Sequence, residues 1–98
     1  MTSWFLRPLA EADVEAIIDY TATSWGQTQA LKYLGELQAG FDRLCIDRWR
    51  GTPLTGRHGT MLRYRIGSHI VIFQRNGKTT DVVRILHERM DIEAQLDS

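Results

Sequence analysis

The sequence predicts an α+β domain of order β-α-α-β-β-β, an antiparallel sheet packed against an N-terminal helical hairpin. Three observations predict it. Two apolar stripes at helical spacing, Val14 to Trp25 and Ala30 to Cys45, flank Gly26 with almost no chain between them. Two tight-turn pairs, Gly67-Ser68 and Asn76-Gly77, stand between apolar runs, where a two-residue hairpin loop needs positive backbone φ. The stretch Arg48 to Gly59 holds Gly51, Pro53, Gly56 and Gly59, which marks a loop between the helical and strand halves. With no repeat, low-complexity tract or linker, residues 1–98 form a single domain. At 98 residues and 43% hydrophobic content, such a domain buries only about 60 to 65% of its unfolded surface.

The elements follow in order. Trp4 to Arg7 is β-prone, and Pro8 stands near a helix N-terminus with Glu11, Asp13 and Glu15 where the helix dipole favours carboxylates. The first helix runs from about Leu9 to Trp25, with Val14, Ile17, Ile18, Thr21 and Trp25 on one stripe and Gly26 as a left-handed C-cap. The second helix presents Ala30, Leu34, Leu37, Phe41, Leu44 and Cys45, with Tyr33 at the margin, and the short connection makes the helices antiparallel neighbours. Three strands close the chain, Leu62 to Ile66, His69 to Arg75 and Thr79 to His87.

Strand parity divides the sheet. Across Gly67-Ser68, the residues Leu62, Tyr64, Ile66, His69, Val71 and Phe73 share one face, and Arg63, Arg65, Ile70 and Ile72 take the other. Both faces carry large apolar residues, whereas a helical hairpin covers one. The second face is then either a partner surface or is covered by the N-terminal strand and the Arg48 to Gly59 loop. A two-residue Asn76-Gly77 turn directs Arg84 toward the helices, and a three-residue loop including Lys78 sets it beside Arg63 and Arg65. The second is preferred, because an unpaired buried guanidinium is costly.

Charge is balanced overall but not along the chain. Residues 1–50 hold five Lys/Arg against seven Asp/Glu, while residues 51–87 hold six basic residues minus one acidic, Asp81, for +5. A basic sheet steers acidic partners, nucleic acid or protein, although a charge run also serves simply as a solvated face. The single cysteine, Cys45, excludes an internal disulfide; on a helical apolar stripe it reads as a small buried hydrophobe in a reducing cytoplasm. The N-terminus lacks a secretory pattern and no stretch reaches membrane-spanning length, so neither export nor membrane attachment is expected. His58, His69 and His87 lack zinc-site spacing, and no phosphate loop is present, so no metal and no cofactor is expected. The three tryptophans read as packing residues, with Trp49 in the glycine-rich loop as an alternative partner anchor. His87 reads first as a structural hydrogen-bonding residue, and Arg89 and Asp91 as a local pair.

Several segments together resemble the ParE branch of the RelE/ParE superfamily of bacterial toxin-antitoxin systems. They are Arg7-Pro8-Leu9-Ala10-Glu11-Ala12-Asp13, Ile18-Asp19-Tyr20-Thr21 with Trp25-Gly26, Tyr33-Leu34 with Leu37, Leu62-Arg63-Tyr64 with Gly67-Ser68-His69, and Arg84-Ile85-Leu86-His87-Glu88-Arg89-Met90-Asp91. The resemblance spans nearly the whole chain. It implies a RelE/ParE-like fold and a cytoplasmic toxin silenced in a hetero-oligomeric complex by a ParD-like antitoxin with a ribbon-helix-helix DNA-binding region. It further implies interference with DNA gyrase without enzymatic activity.

On that reading Arg63, Arg65, Arg84, His87, Arg89, Met90 and Asp91 are the candidates for target contact. Trp49, Ile70, Ile72 and Tyr33 are those for the antitoxin, seated on the outer groove of the helical hairpin and the sheet edge. Two alternatives stay open. An RNA-cleaving toxin of the same fold needs a proton acceptor, a donor and cations for the phosphorane charge, and here depends on His87 and its geometry to Arg65 and Arg84. An interaction-only module needs no chemistry at all.

Overall fold

The computed structural model describes residues 3–97. Its elements are β1 (Ser3–Leu6), α1 (Pro8–Trp25), α2 (Gln27–Ile46), β2 (Thr52–Pro53), a 3-10 turn (Gly56–His58), β3 (Leu62–Ile66), β4 (His69–Asn76), β5 (Thr79–His87) and α3 (Ile92–Asp97). The sheet order is β1-β5-β4-β3-β2. β1 joins β5 in parallel and every other pairing is antiparallel, so the sheet is mixed.

Gly26 joins the two helices directly. At φ +95° and ψ 162° its backbone is extended in the mirror region that only glycine enters readily, and not in the left-handed helical region a C-cap usually takes. Its N–H closes α1 on the Ala22 carbonyl (3.0 Å), and its carbonyl accepts the Ala30 N–H (3.1 Å), opening α2. One residue therefore ends one helix and starts the next.

The hairpin covers one sheet face. Leu37, Phe41 and Leu44 of α2 meet Val71, Phe73, Val82 and Ile85, with Ala10 of α1 and Ile66 beside them. Each fully buried large side chain contributes about 1.5 to 3 kcal/mol. Approach is closest at Gly40, where a Cβ would lie 2.2 Å from Ile66 Cδ1. Cys45 is buried and free, as its stripe position implied.

The opposite face is covered along β4 and β5 and stays open at Arg63 and Arg65 on β3. Ile72, Val83 and Leu86 are buried there beneath Leu54 and Met61 from the loop and Ile92 and Leu96 of α3. The N-terminal strand takes no part in this cover, because it is spent on the β5 edge. The cover is fastened by Asp97, which pairs with Arg57 and lies 2.7 Å from His58 Nε2. Asp91 caps α3 by accepting the Ala94 N–H (3.2 Å), and so serves the helix in place of the expected pairing with Arg89.

The β4–β5 turn is Gly77-Lys78, since Asn76 pairs with Thr79, and a bulge at Ile72/Phe73 then shifts the register by one. Arg84 consequently pairs with Ile72, the parity of the three-residue loop, yet its guanidinium does not join Arg63 and Arg65. It is held by Asp13 of α1 through Nε to Oδ2 (2.7 Å) and Nη2 to Oδ1 (3.0 Å). The same carboxylate accepts the Ile85 N–H at 2.9 Å, just beyond the point where β1 stops pairing with β5. Arg84 is thereby kept above its ordinary pKa by this hydrogen-bonded carboxylate.

Candidate functional site

A groove of about 650 Å³ lies where the two helices meet the open end of the sheet. α1 contributes Ile17, Tyr20 and Trp25 to one wall, α2 contributes Tyr33, and His69, His87 and Met90 form the sheet side. Trp25 is 73% exposed and Tyr20 is 70% exposed. Large aromatic side chains held open around a cavity mark a place where a partner is buried. Of the three tryptophans, only Trp4 packs as expected, against Phe41 at 4.9 Å between ring centroids.

The floor of the groove is ordered by a short polar chain. Tyr33 Oη lies 3.1 Å from the Ile66 carbonyl and 2.6 Å from His69 Nδ1. Its single proton goes to the carbonyl if His69 carries its own on Nδ1, which assigns His69 Nε2 as an acceptor. His69 and His87 are directly opposed across β4 and β5, their rings edge to face at 5.4 Å. His87 Nδ1 accepts the Arg89 N–H at 3.1 Å, the structural role read from sequence. Burial first, and the neighbouring His87 second, push the His69 imidazole below its usual pKa; burial pushes the Tyr33 phenol up.

The groove unites residues that sequence reasoning had assigned to two different partners. Tyr33, a candidate antitoxin contact, shares it with His87 and Met90, candidate target contacts. Arg65 stands nearby, donating from Nε to the Gly67 carbonyl (2.9 Å) and pairing with Glu88. Arg89 and Asp91 are exposed on the tail that follows. Arg63 is exposed on β3 beside a second, polar notch of about 430 Å³ shared with Thr52, Tyr64, Arg65 and Ile70. Trp49 is exposed at the opposite end of β4 and lies away from the groove.

Two sequence assignments are corrected. Ile72 is fully buried under α3 and the loop, so it is core and not a surface contact. Arg84 is committed to Asp13 and only 16% of its side chain is exposed, so it stands apart from the arginine pair on β3. Trp25 was missed as a site residue because its helical spacing reads as the end of a core stripe, whereas the stripe stays half-buried only as far as Thr21; Tyr20 lies off that stripe and carried no local signal. Among the described residues no group of three or more His, Cys, Asp or Glu is disposed to hold a metal. No helix there is long and apolar enough to cross a membrane.

The site is thus an exposed aromatic groove at the mouth of a small α+β domain whose five strands form one mixed sheet. The family described as the ParE toxin of type II toxin-antitoxin system, parDE, matches residues 5–92, and the chain belongs to that family. It is 41% identical over 99 residues to Toxin ParE1 of Mycobacterium tuberculosis (strain H37Rv), covering 95% of this chain and 96% of that one. It is 35% identical over 97 residues to Toxin ParE of Escherichia coli, covering 98% and 94%. The fold is shared with a solved structure of the chromosomal ParDE TA system from P. aeruginosa, at TM-score 0.74 and 21% identity over 89% of this chain and 96% of that one.

Proposed function

We propose that this ParE-family toxin arrests growth by inhibiting DNA gyrase without catalysing a reaction, and is neutralised by a ParD-like antitoxin seated in the groove. The observation that carries the reading is the exposed Trp25 and Tyr20 wall above half-buried Tyr33, around His69, His87 and Met90. Its apolar and aromatic lining is of the kind that takes one face of an amphipathic helix laid along α1. An antitoxin there masks His87 and Met90 and crowds Arg65 and Arg89, which gives neutralisation a steric basis within a hetero-oligomeric complex.

The absence of catalysis rests on how the cations are employed. Cleavage of RNA requires positive charge free to meet a developing phosphorane beside the proton-transfer groups. Arg84 is committed to Asp13 in a largely covered pair, which takes away one of the two arginines the nuclease alternative needs beside His87; Arg65 pairs with Glu88 only at the surface and stays 64% exposed. Purified toxin should inhibit gyrase supercoiling and leave message intact in a translation reaction. Intact supercoiling together with cleaved message would reverse the assignment.

A further inference from the structure

At the end of the sheet opposite the groove, the chain leaving α2 displays the two most exposed large apolar residues of the described molecule. Trp49 is 95% exposed and Ile46 82%. The turn that carries Trp49 is held firmly. Arg75 on β4 donates from Nη1 to the Leu44 carbonyl (2.7 Å) and from Nη2 to the Asp47 and Arg50 carbonyls (both 3.1 Å). The Asp47 carboxylate accepts the Trp49 N–H (3.1 Å), and Arg48 Nη2 donates to the Gly77 carbonyl (2.8 Å).

This anchoring is expensive. Arg75 Nε is buried with no partner, and burial holds the guanidinium below its ordinary pKa. Arg75, partly buried, caps the last turn of α2 and so fixes the connection that carries the indole; a rigid turn presents Trp49 with little entropy left to lose on docking. The charge around it is one-sided. Arg75, Arg48 and Arg43 rest on neutral oxygens, the last on the Tyr64 hydroxyl (3.3 Å), and Lys78 is exposed beside them. Asp47 pairs with Arg50 (3.1 Å) and also faces Arg75, and Asp42 accepts the Trp4 indole N–H (2.8 Å).

We propose that the turn from Asp47 to Arg50 is a second anchor for the toxin's target, with Trp49 and Ile46 entering an apolar pocket rimmed by acidic side chains. The inference rests on the reading that the toxin acts by gripping a macromolecule. The pairing of an aliphatic with an aromatic residue, and guanidinium groups already spent on carbonyls, favour an acidic protein surface over nucleic acid, which asks for free forks on phosphate. Arg50, 5.9 Å above the Tyr64 ring, carries the basic surface on toward Arg63. Along β4 the anchoring Arg75 is six residues from His69 in the groove, about 20 Å, so an antitoxin confined to the groove leaves the anchor open.

The test uses the full-length toxin, Trp49→Ala and the charge reversal Arg48→Glu/Lys78→Glu, each verified by an unchanged thermal melt. Both variants should inhibit gyrase supercoiling about tenfold or more weakly than the parent and arrest growth less, and the charge-reversed variant should keep antitoxin affinity within about twofold. Parent-like inhibition and growth arrest by both variants overturn the anchor. Should the parent not inhibit gyrase, the gyrase reading fails by itself, and growth arrest decides the anchor: arrest lost in both variants sustains it, arrest retained removes it. A parent that neither inhibits gyrase nor arrests growth removes it too. Binding of the parent to a 30-base-pair DNA duplex alone, lost in both variants, replaces the acidic protein with nucleic acid and overturns the proposal.

Discussion

Asp13 receives both Nε and Nη2 of Arg84, at 2.7 and 3.0 Å, while also accepting the Ile85 N–H. One carboxylate on α1 thus finishes the β5 edge that β1 leaves unpaired and neutralises the arginine that the bulge sends toward it. Removing either partner leaves a largely buried charge. Asp13→Ala and Arg84→Ala should each cost about 2 to 3 kcal/mol, below the figure for a fully buried pair because some solvent reaches both. Urea unfolding of the two single variants and the double variant checks this. Single losses that simply add in the double would show that the two side chains are not coupled.

Gly40 is the point where α2 touches the sheet, with Ile66 Cδ1 occupying the place a Cβ would need. Alanine gains about 1 kcal/mol of helix propensity there, but overpacking costs about 1 to 3 kcal/mol. Gly40→Ala should therefore be neutral to about 2 kcal/mol destabilising, and Ile66→Val in the same chain should restore most of any loss. A marked rise in the melting temperature of Gly40→Ala alone would contradict the packing described.

His69 has its pKa depressed by burial and by His87. A folded-state pKa below the unfolded value of about 6.5 means that the unfolded chain binds more protons, so stability is intact above that pH. It falls as pH drops from there toward the depressed folded value. Urea midpoints at pH 7.5 and pH 5 should show this decline, and His69→Gln should flatten it. An equally steep decline in His69→Gln would assign the effect elsewhere.

The α3 cover is small, and Ile92 and Leu96 supply its apolar contact with Ile72, Val83 and Leu86. Ile92→Ala with Leu96→Ala should destabilise by about 2 to 4 kcal/mol, less than two fully buried truncations because both side chains are only partly covered. The variant should also bind a hydrophobic dye that the parent does not. Unchanged stability and no dye binding would mean that α3 does not seal this face.

The groove makes its own prediction about partner choice. Trp25→Ala should weaken antitoxin binding by about 2 kcal/mol or more, roughly thirtyfold. Arg89, exposed on the tail and outside the groove wall, should leave that affinity within about tenfold when changed to alanine while relieving growth arrest. Calorimetric titration of the antitoxin alongside growth curves separates the two effects. Equal loss of both functions in either variant would show one surface serving both partners.

Local signals carried much of this molecule. The stripe from Ala30 to Cys45 places α2 and its buried face, and the Gly67-Ser68 pair places a hairpin with Gly67 at φ +58°, because periodicity and turn chemistry act between near neighbours. The family was legible from short segments in order, and His87 was legible as a structural residue. What the chain left undecided is non-local. The single Ile92 to Leu96 spacing is too little periodicity to announce α3, and only its contact with Ile72, Val83 and Leu86 makes it a cover. The bulge at Ile72/Phe73 has no sequence mark, yet it sends Arg84 to Asp13. Trp25 read as a packing residue by spacing, and Trp49 read either as packing or as a partner anchor in the glycine-rich loop. Their exposure was decided by where the helix face and the loop ended relative to the sheet, since burial belongs to the assembled surface and not to the order of residues along it.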